Sequence, residues 1–98
     1  MPFKAEKLSE AVHRQLAEIL VWGIELPENT LVTILSVTTS HDWQRVEVVV
    51  SCLPESKQSE TVKVLNKKKS HLRNILARKI RFKKVPELYF ISLSDQVQ

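Results

Sequence analysis

The sequence predicts a two-layer α+β domain with the element order helix, strand, strand, helix, helix, strand. Three observations lead there. An apolar stripe with steps of three and four runs from Leu8 to Leu20. Two runs rich in β-branched residues follow at 31–39 and 44–53. Two further helical stripes then precede a short apolar run after Pro86. A sheet of such strands has one apolar face to bury, and the helices around it in the chain can bury it. Ninety-eight residues suffice for one core and not for two, so 1–98 is expected to be a single domain with its core at about 6–93.

In the first helix, expected over 6–22, Leu8, Ala11, Val12, Leu16, Ile19 and Leu20 share one side. Gly23, the only glycine, suits a left-handed residue just past the helix end, and Pro27 forbids continuation. Residues 26–29 read as a turn. The run 31–39 fits a pleated strand better than a helix. The polar Ser40-His41-Asp42 breaks it, and 44–53 forms a second strand, antiparallel to the first through a short hairpin. Val46, Val48, Val50 and Cys52 lie on one face of that strand. Glu47, Val49 and Ser51 lie on the other, so one face alone should be covered.

Pro54 ends the second strand, and Ser56 or Ser59 is placed to cap the next helix. Val62 and Leu65 begin its stripe, the next stripe position is Lys69, and Leu72, Ile75, Leu76 and Ile80 resume the pattern. One straight helix over 57–81 would carry Lys69 into its buried side. A break near Lys69-Ser70 is therefore expected, and a serine that bonds its own backbone suits it. Lys83 and Lys84 follow the last helix, where cations suit the negative end of the dipole. Pro86 bars further helix, and 88–93 reads as the third strand. An RRM would need a strand before the first helix, which the short, polar 1–6 does not supply.

Charge is divided along the chain. The net is +4, but residues 1–60 hold five Lys/Arg against nine Asp/Glu, while 61–98 hold ten against two. No acid occurs between Thr61 and Pro86. A stretch of that kind points to a polyanionic partner, nucleic acid first. The single cysteine excludes an internal disulfide, no apolar run approaches the length of a membrane span, and no signal-type segment follows Met1. A cytoplasmic protein without membrane association is expected.

Catalytic chemistry finds little to stand on. His13, His41 and His71 lie in three different elements without metal-ligand spacing, and one cysteine makes no zinc pattern. Cys52, on the apolar strand face, reads as an inert buried thiol. One glycine cannot build a phosphate loop. The acids are scattered, and His41-Asp42 reads as turn chemistry. No enzyme, metal, cofactor or small-molecule substrate is expected. The candidate site is instead cationic: Lys67, Lys68, Lys69 and Ser70 at the break, Arg73, Arg78 and Arg81 along the helix after it, and Lys83 and Lys84 at its exit. Helix starts favour anions through free N–H groups and the dipole, and Lys and Arg neutralise phosphates. Arg78 and Arg81 also fit the plainer reading of a solvated helix face. Trp22, Trp43 and Tyr89 have the rings for base stacking, yet each lies at or near an apolar run and is expected in or at the edge of the core.

Several local strings, in order, resemble the ribosome-binding factor A family. Arg14-Gln15-Leu16-Ala17-Glu18-Ile19-Leu20 is similar to that family's first helix. Leu31-Val32-Thr33-Ile34 with Val37 and then Ser40-His41-Asp42-Trp43 resembles its first strand and Asp-containing turn. Val46-Glu47-Val48-Val49-Val50-Ser51 looks like its second strand, and His71-Leu72-Arg73 with Leu76-Ala77-Arg78 like the helix after its kink. Val85-Pro86-Glu87-Leu88-Tyr89-Phe90 resembles its Pro-Glu-Leu-x-Phe signature. At the kink the family usually has Ala-x-Gly, and this chain has Lys68-Lys69-Ser70, a more cationic version. The resemblance implies a KH-like (type II) fold with a three-stranded sheet. It also implies a non-catalytic role: binding 16S rRNA in the immature 30S small subunit and assisting maturation of its 5′ region. A monomer is expected. Two other readings stand beside it. One is an adaptor docking an acidic protein through the basic helix. The other is a KH-like RNA-binding module of another pathway, against which the missing Gly-x-x-Gly loop counts.

Overall fold

The computed structural model describes residues 2–22, 24–80 and 84–93. Helix α1 (Pro2–Trp22) is followed by strands β1 (Leu31–Thr39) and β2 (Arg45–Leu53). A single 3-10 turn at Glu55–Lys57 leads into α2 (Gln58–Lys67), then α3 (Lys69–Lys79) and β3 (Glu87–Ser92). The sheet order is β1-β2-β3, with β1 and β2 antiparallel and β2 and β3 parallel. A parallel pair needs a long connection, and α2 with α3 provides it. The expected order and α+β class hold. The parallel pairing of the last strand was not readable from local pattern, because periodicity marks a strand without naming its neighbour.

The helices lie on one face of the sheet. The α1 stripe of Leu8, Val12 and Leu16, the β2 set of Val46, Val48 and Val50, and Leu65, Leu72, Leu76 and Leu88 are all fully buried in one cluster. Each such side chain contributes about 1.5–3 kcal/mol by leaving water. Cys52 is in the same cluster, and burial pushes its thiol pKa up, which keeps it protonated and unreactive. Thr61, buried on α2, donates to the Lys57 carbonyl at 2.7 Å. The outward face of β2 departs from expectation at Val49, which is only 3% exposed. Its register partners Ser36 and Ile91 flank it on the central strand, so the side chains of both neighbouring strands shield it.

Several boundaries also differ. α1 begins at Pro2, four residues earlier than expected, since the first turn of an amphipathic helix needs no buried residue. Neither Ser56 nor Ser59 caps α2: its N-cap is Lys57, and no side chain bonds there. The helix break is present, one residue before the expected place, at Lys68 (φ −99°, ψ 9°). The Lys68 N–H donates back to Val64 and Leu65, and its carbonyl accepts from Leu72. The backbone makes this break itself, and Ser70 is exposed on α3 without a side-chain bond among the described residues. α3 ends at Lys79, with Ile80 extended, so Lys84 stands beyond the helix rather than at its end. Gly23, Arg81 and Lys83 lie outside the described residues.

The hairpin turn is closed by its own polar groups. Ser40 Oγ donates to Asp42 Oδ1 at 2.7 Å, the Gln44 N–H donates to the same oxygen at 3.1 Å, and the Arg45 N–H donates to Ser40 Oγ. Trp43 takes a left-handed conformation (φ 60°) and packs, half-buried, at the edge of the core. No helix among the described residues is long and apolar enough to cross a membrane.

Candidate nucleic-acid interface

The break at Lys68 concentrates cations because it interrupts the stripe where the sequence has three lysines in a row. Lys67 closes α2 and is exposed. Lys68 occupies the break, and its Nζ donates to the Glu25 carbonyl at 3.2 Å, which ties the break to the segment after α1. Lys69 opens α3 and avoids the core by reaching β3. Its Nζ lies 3.3 Å from Glu87 Oε1 and 4.3 Å from the centre of the Tyr89 ring. The Glu87 carboxyl is held below its usual range, first by Lys69 and then by the Tyr89 side chain.

Arg73 also turns toward β3. Its Nε donates to the Val85 carbonyl at 2.8 Å, holding the segment that leads into the strand. Ser70 and Arg78 are exposed on α3, and Lys84 is exposed beyond it. The predicted residues therefore divide. Lys67, Lys68, Lys69 and Ser70 are brought together at the break. Arg73 is anchored on the β3 side, and Arg78 stands about one and a half turns further on. No side chain caps the start of α3, and no acid occupies its first turn. The N-terminal end of that helix is thus electropositive as well as flanked by ammonium groups.

One participant is absent from the sequence reading, and another is expected there in or at the edge of the core. Asn66, on the last turn of α2, pairs with the backbone of Phe90 in both directions. Its Nδ2 donates to the carbonyl at 2.9 Å, and its Oδ1 accepts the N–H at 2.9 Å. A lone Asn before a lysine run was the signal available. Tyr89 is the other. It sits on the sheet face away from the helices, not at the edge of the core, with the Arg45 guanidinium carbon 4.2 Å from its ring centre. Its alternation with Leu88 and Phe90, both buried, is what turns it outward. Among the described residues, no group of three His, Cys, Asp or Glu is placed to hold a metal ion.

The architecture and this basic break define the class: a KH-like α+β module whose paired helices present a cationic turn. Comparison with known proteins is more specific. The sequence model of ribosome-binding factor A matches residues 4–96. Ribosome-binding factor A of Neisseria meningitidis serogroup C is 30% identical over 87 residues, covering 89% of this chain and 71% of the relative. The Saccharophagus degradans protein of that name is 32% identical over 99 residues, covering 98% and 77%. The crystal structure of ribosome-binding factor A from Thermus thermophilus superposes with a TM-score of 0.75 at 24% identity, over 92% of this chain and 97% of that one. Coordinates of the Thermus thermophilus factor fitted into a cryo-EM map of a 30S complex give 0.67 at 22% identity, over 96% of each chain. The chain belongs to the ribosome-binding factor A family.

Proposed function

We propose that this protein binds 16S rRNA in the immature 30S small ribosomal subunit and assists maturation of its 5′ region, without catalysing a reaction. The observation that carries the proposal is the gathering of Lys67, Lys68 and Lys69 around the uncapped start of α3 in a member of this family. Free backbone N–H groups on a turn built from three lysines suit phosphate oxygens, and such contacts fix position rather than read sequence. Arg73, Arg78 and Lys84 extend the cationic set along α3 and past its end, and Arg81 and Lys83, outside the described residues, complete it in the sequence. Structured rRNA would be held by its shape and backbone. A relative of the same family has been fitted into a map of a 30S complex, which supports the small subunit as the target. On this reading the chain is one RNA-binding domain acting as a cytoplasmic monomer.

Sedimentation of cell extract containing tagged protein tests the proposal. Co-migration with small-subunit particles at low salt, lost in a Lys67→Ala/Lys68→Ala/Lys69→Ala variant that melts like the wild type, is the expected result. Recovery with a protein partner and no ribosomal RNA would instead favour the adaptor. Recovery with free RNA would favour another pathway.

A further inference from the structure

The two edges of the sheet are treated differently. β3 is closed: Asn66 takes up both backbone groups of Phe90, and Lys69 reaches across to Glu87 and Tyr89. β1, the other edge, is nine residues long and reads Leu-Val-Thr-Ile-Leu-Ser-Val-Thr-Thr, with neither a charge nor a proline. Natural edges usually carry one of those safeguards. Two local features limit this edge, a bulge between Ile34 and Ser36 and the bond from the Thr39 N–H to Ser9 Oγ at 3.2 Å. Among the described residues, nothing of the kind covers the stretch 31–34.

Beside that stretch α1 and β1 form an open groove of about 450 Å³, whose lining includes Ala17, Leu20, Val21, Leu26, Val32 and Ile34. Val21 and Leu31 are 65% and 64% exposed at its margin. Beyond it a shallower hollow of about 370 Å³ continues beside Val37–Thr39, and there the α1 lining includes Glu6 and Glu10. These positions, with His13, Ala17 and Val21, follow steps of three and four, so one stripe of α1 overlooks the edge. Neither glutamate has an ion-pair partner among the described residues.

We infer that the free edge of β1 and the groove beside it bind an extended polypeptide segment with apolar residues at one end and basic residues at the other, added as a fourth strand. Backbone pairing along 31–34 would supply affinity. Alternate side chains would supply specificity, apolar ones entering the larger hollow and basic ones meeting Glu6 and Glu10. Charge complementarity selects this occupant. A nucleic-acid strand would bring phosphates to the two carboxylates. A second copy of the chain would bring an uncharged β1, which leaves both carboxylates unanswered. The site lies on the α1 side of the fold, goes beyond the RNA reading, and stands or falls separately from it.

Two acetylated octapeptides, KTKTVTVT and its reverse TVTVTKTK, cover both strand directions, and ETETVTVT controls for charge. Titrated into the isotope-labelled full chain, one of the basic peptides should give saturable amide shifts and slowed hydrogen exchange at 31–34, and the acidic one should not. Ala17→Arg, an exposed helix substitution that fills the groove, should abolish those shifts while small-subunit sedimentation persists. Glu6→Lys/Glu10→Lys should weaken binding about tenfold, as expected when two exposed ion pairs become repulsive. The proposal is overturned if neither basic peptide perturbs 31–34 at millimolar concentration, or if the acidic peptide binds equally well. It is also overturned if the shifts survive Ala17→Arg, or if β1 signals move with protein concentration alone, which assigns the edge to a second copy.

Discussion

At the scale of single residues, Asn66 shows how little is needed to close a sheet edge. An edge strand leaves unpaired N–H and C=O groups, which cost free energy wherever they are withdrawn from water. Phe90 is only 3% exposed, and its two backbone groups meet one side-chain amide whose donor and acceptor match them. Asn66→Ala leaves both groups without partners and should cost about 1–3 kcal/mol in a urea melt. Asn66→Asp separates the two halves of the interaction. Its carboxylate keeps an acceptor for the N–H but sets a second oxygen against the Phe90 carbonyl. It should therefore destabilise at neutral pH at least as much as alanine, and recover part of the loss on protonation. A variant as stable as the wild type would reduce Asn66 to a bystander.

At the scale of elements, the strands and the α1 stripe were legible because alternation and three-four steps reflect burial directly. β1 spans 31–39 as expected, and Val46, Val48, Val50 and Cys52 do face the core. The helix break was legible too, since Lys69 could not remain in the stripe, but its position and cause were not. The chain breaks at Lys68, and Lys69 escapes by pairing with Glu87 eighteen residues on, a contact that exists only after β3 lies beside the helices. Arg73 illustrates the same limit. Sequence marks it as a cation, while its bond to the Val85 carbonyl depends on where the exit segment runs. The hairpin turn, in contrast, is local and carries a pH prediction. The Asp42 carboxyl is held below its usual range, first by the Ser40 hydroxyl and then by the Gln44 N–H. A depressed folded-state pKa contributes stability above the unfolded value, about 3.9, and that stability disappears as pH falls through the folded value. Asp42→Asn keeps an acceptor and removes the charge. It should melt below the wild type at pH 7, and the difference should shrink below about pH 4 as the wild-type carboxylate protonates. An undiminished gap in acid would assign the turn's stability to shape rather than charge.

At the scale of the whole molecule, the uneven charge of the sequence sets the bases of α2, α3 and the segment after them apart from the acids, most of which lie in residues 1–60. That separation sets how binding should answer to salt. If about six of the ten bases in the second half neutralise phosphates, log affinity for an rRNA fragment or small-subunit particles should fall with log salt at a slope of roughly −4 to −5. Replacing Lys67, Lys68 and Lys69 together by Ala should flatten it by about 2 to 3, since each contact contributes somewhat less than one. The three are not equivalent. Lys67 is exposed at the end of α2, whereas Lys69 begins opposed by Glu87 and must leave that partner before it meets a phosphate. Lys67→Ala should therefore flatten the slope by more than Lys69→Ala. Glu87→Gln should raise affinity and steepen the slope by releasing Lys69. Arg14, exposed on α1 among acids, provides the control, and Arg14→Ala should leave the slope nearly unchanged. A steep slope that survives the triple substitution would move the binding surface away from the break. A flat slope in the wild type would remove RNA as the partner, because no phosphate-binding surface of this charge escapes counterion release.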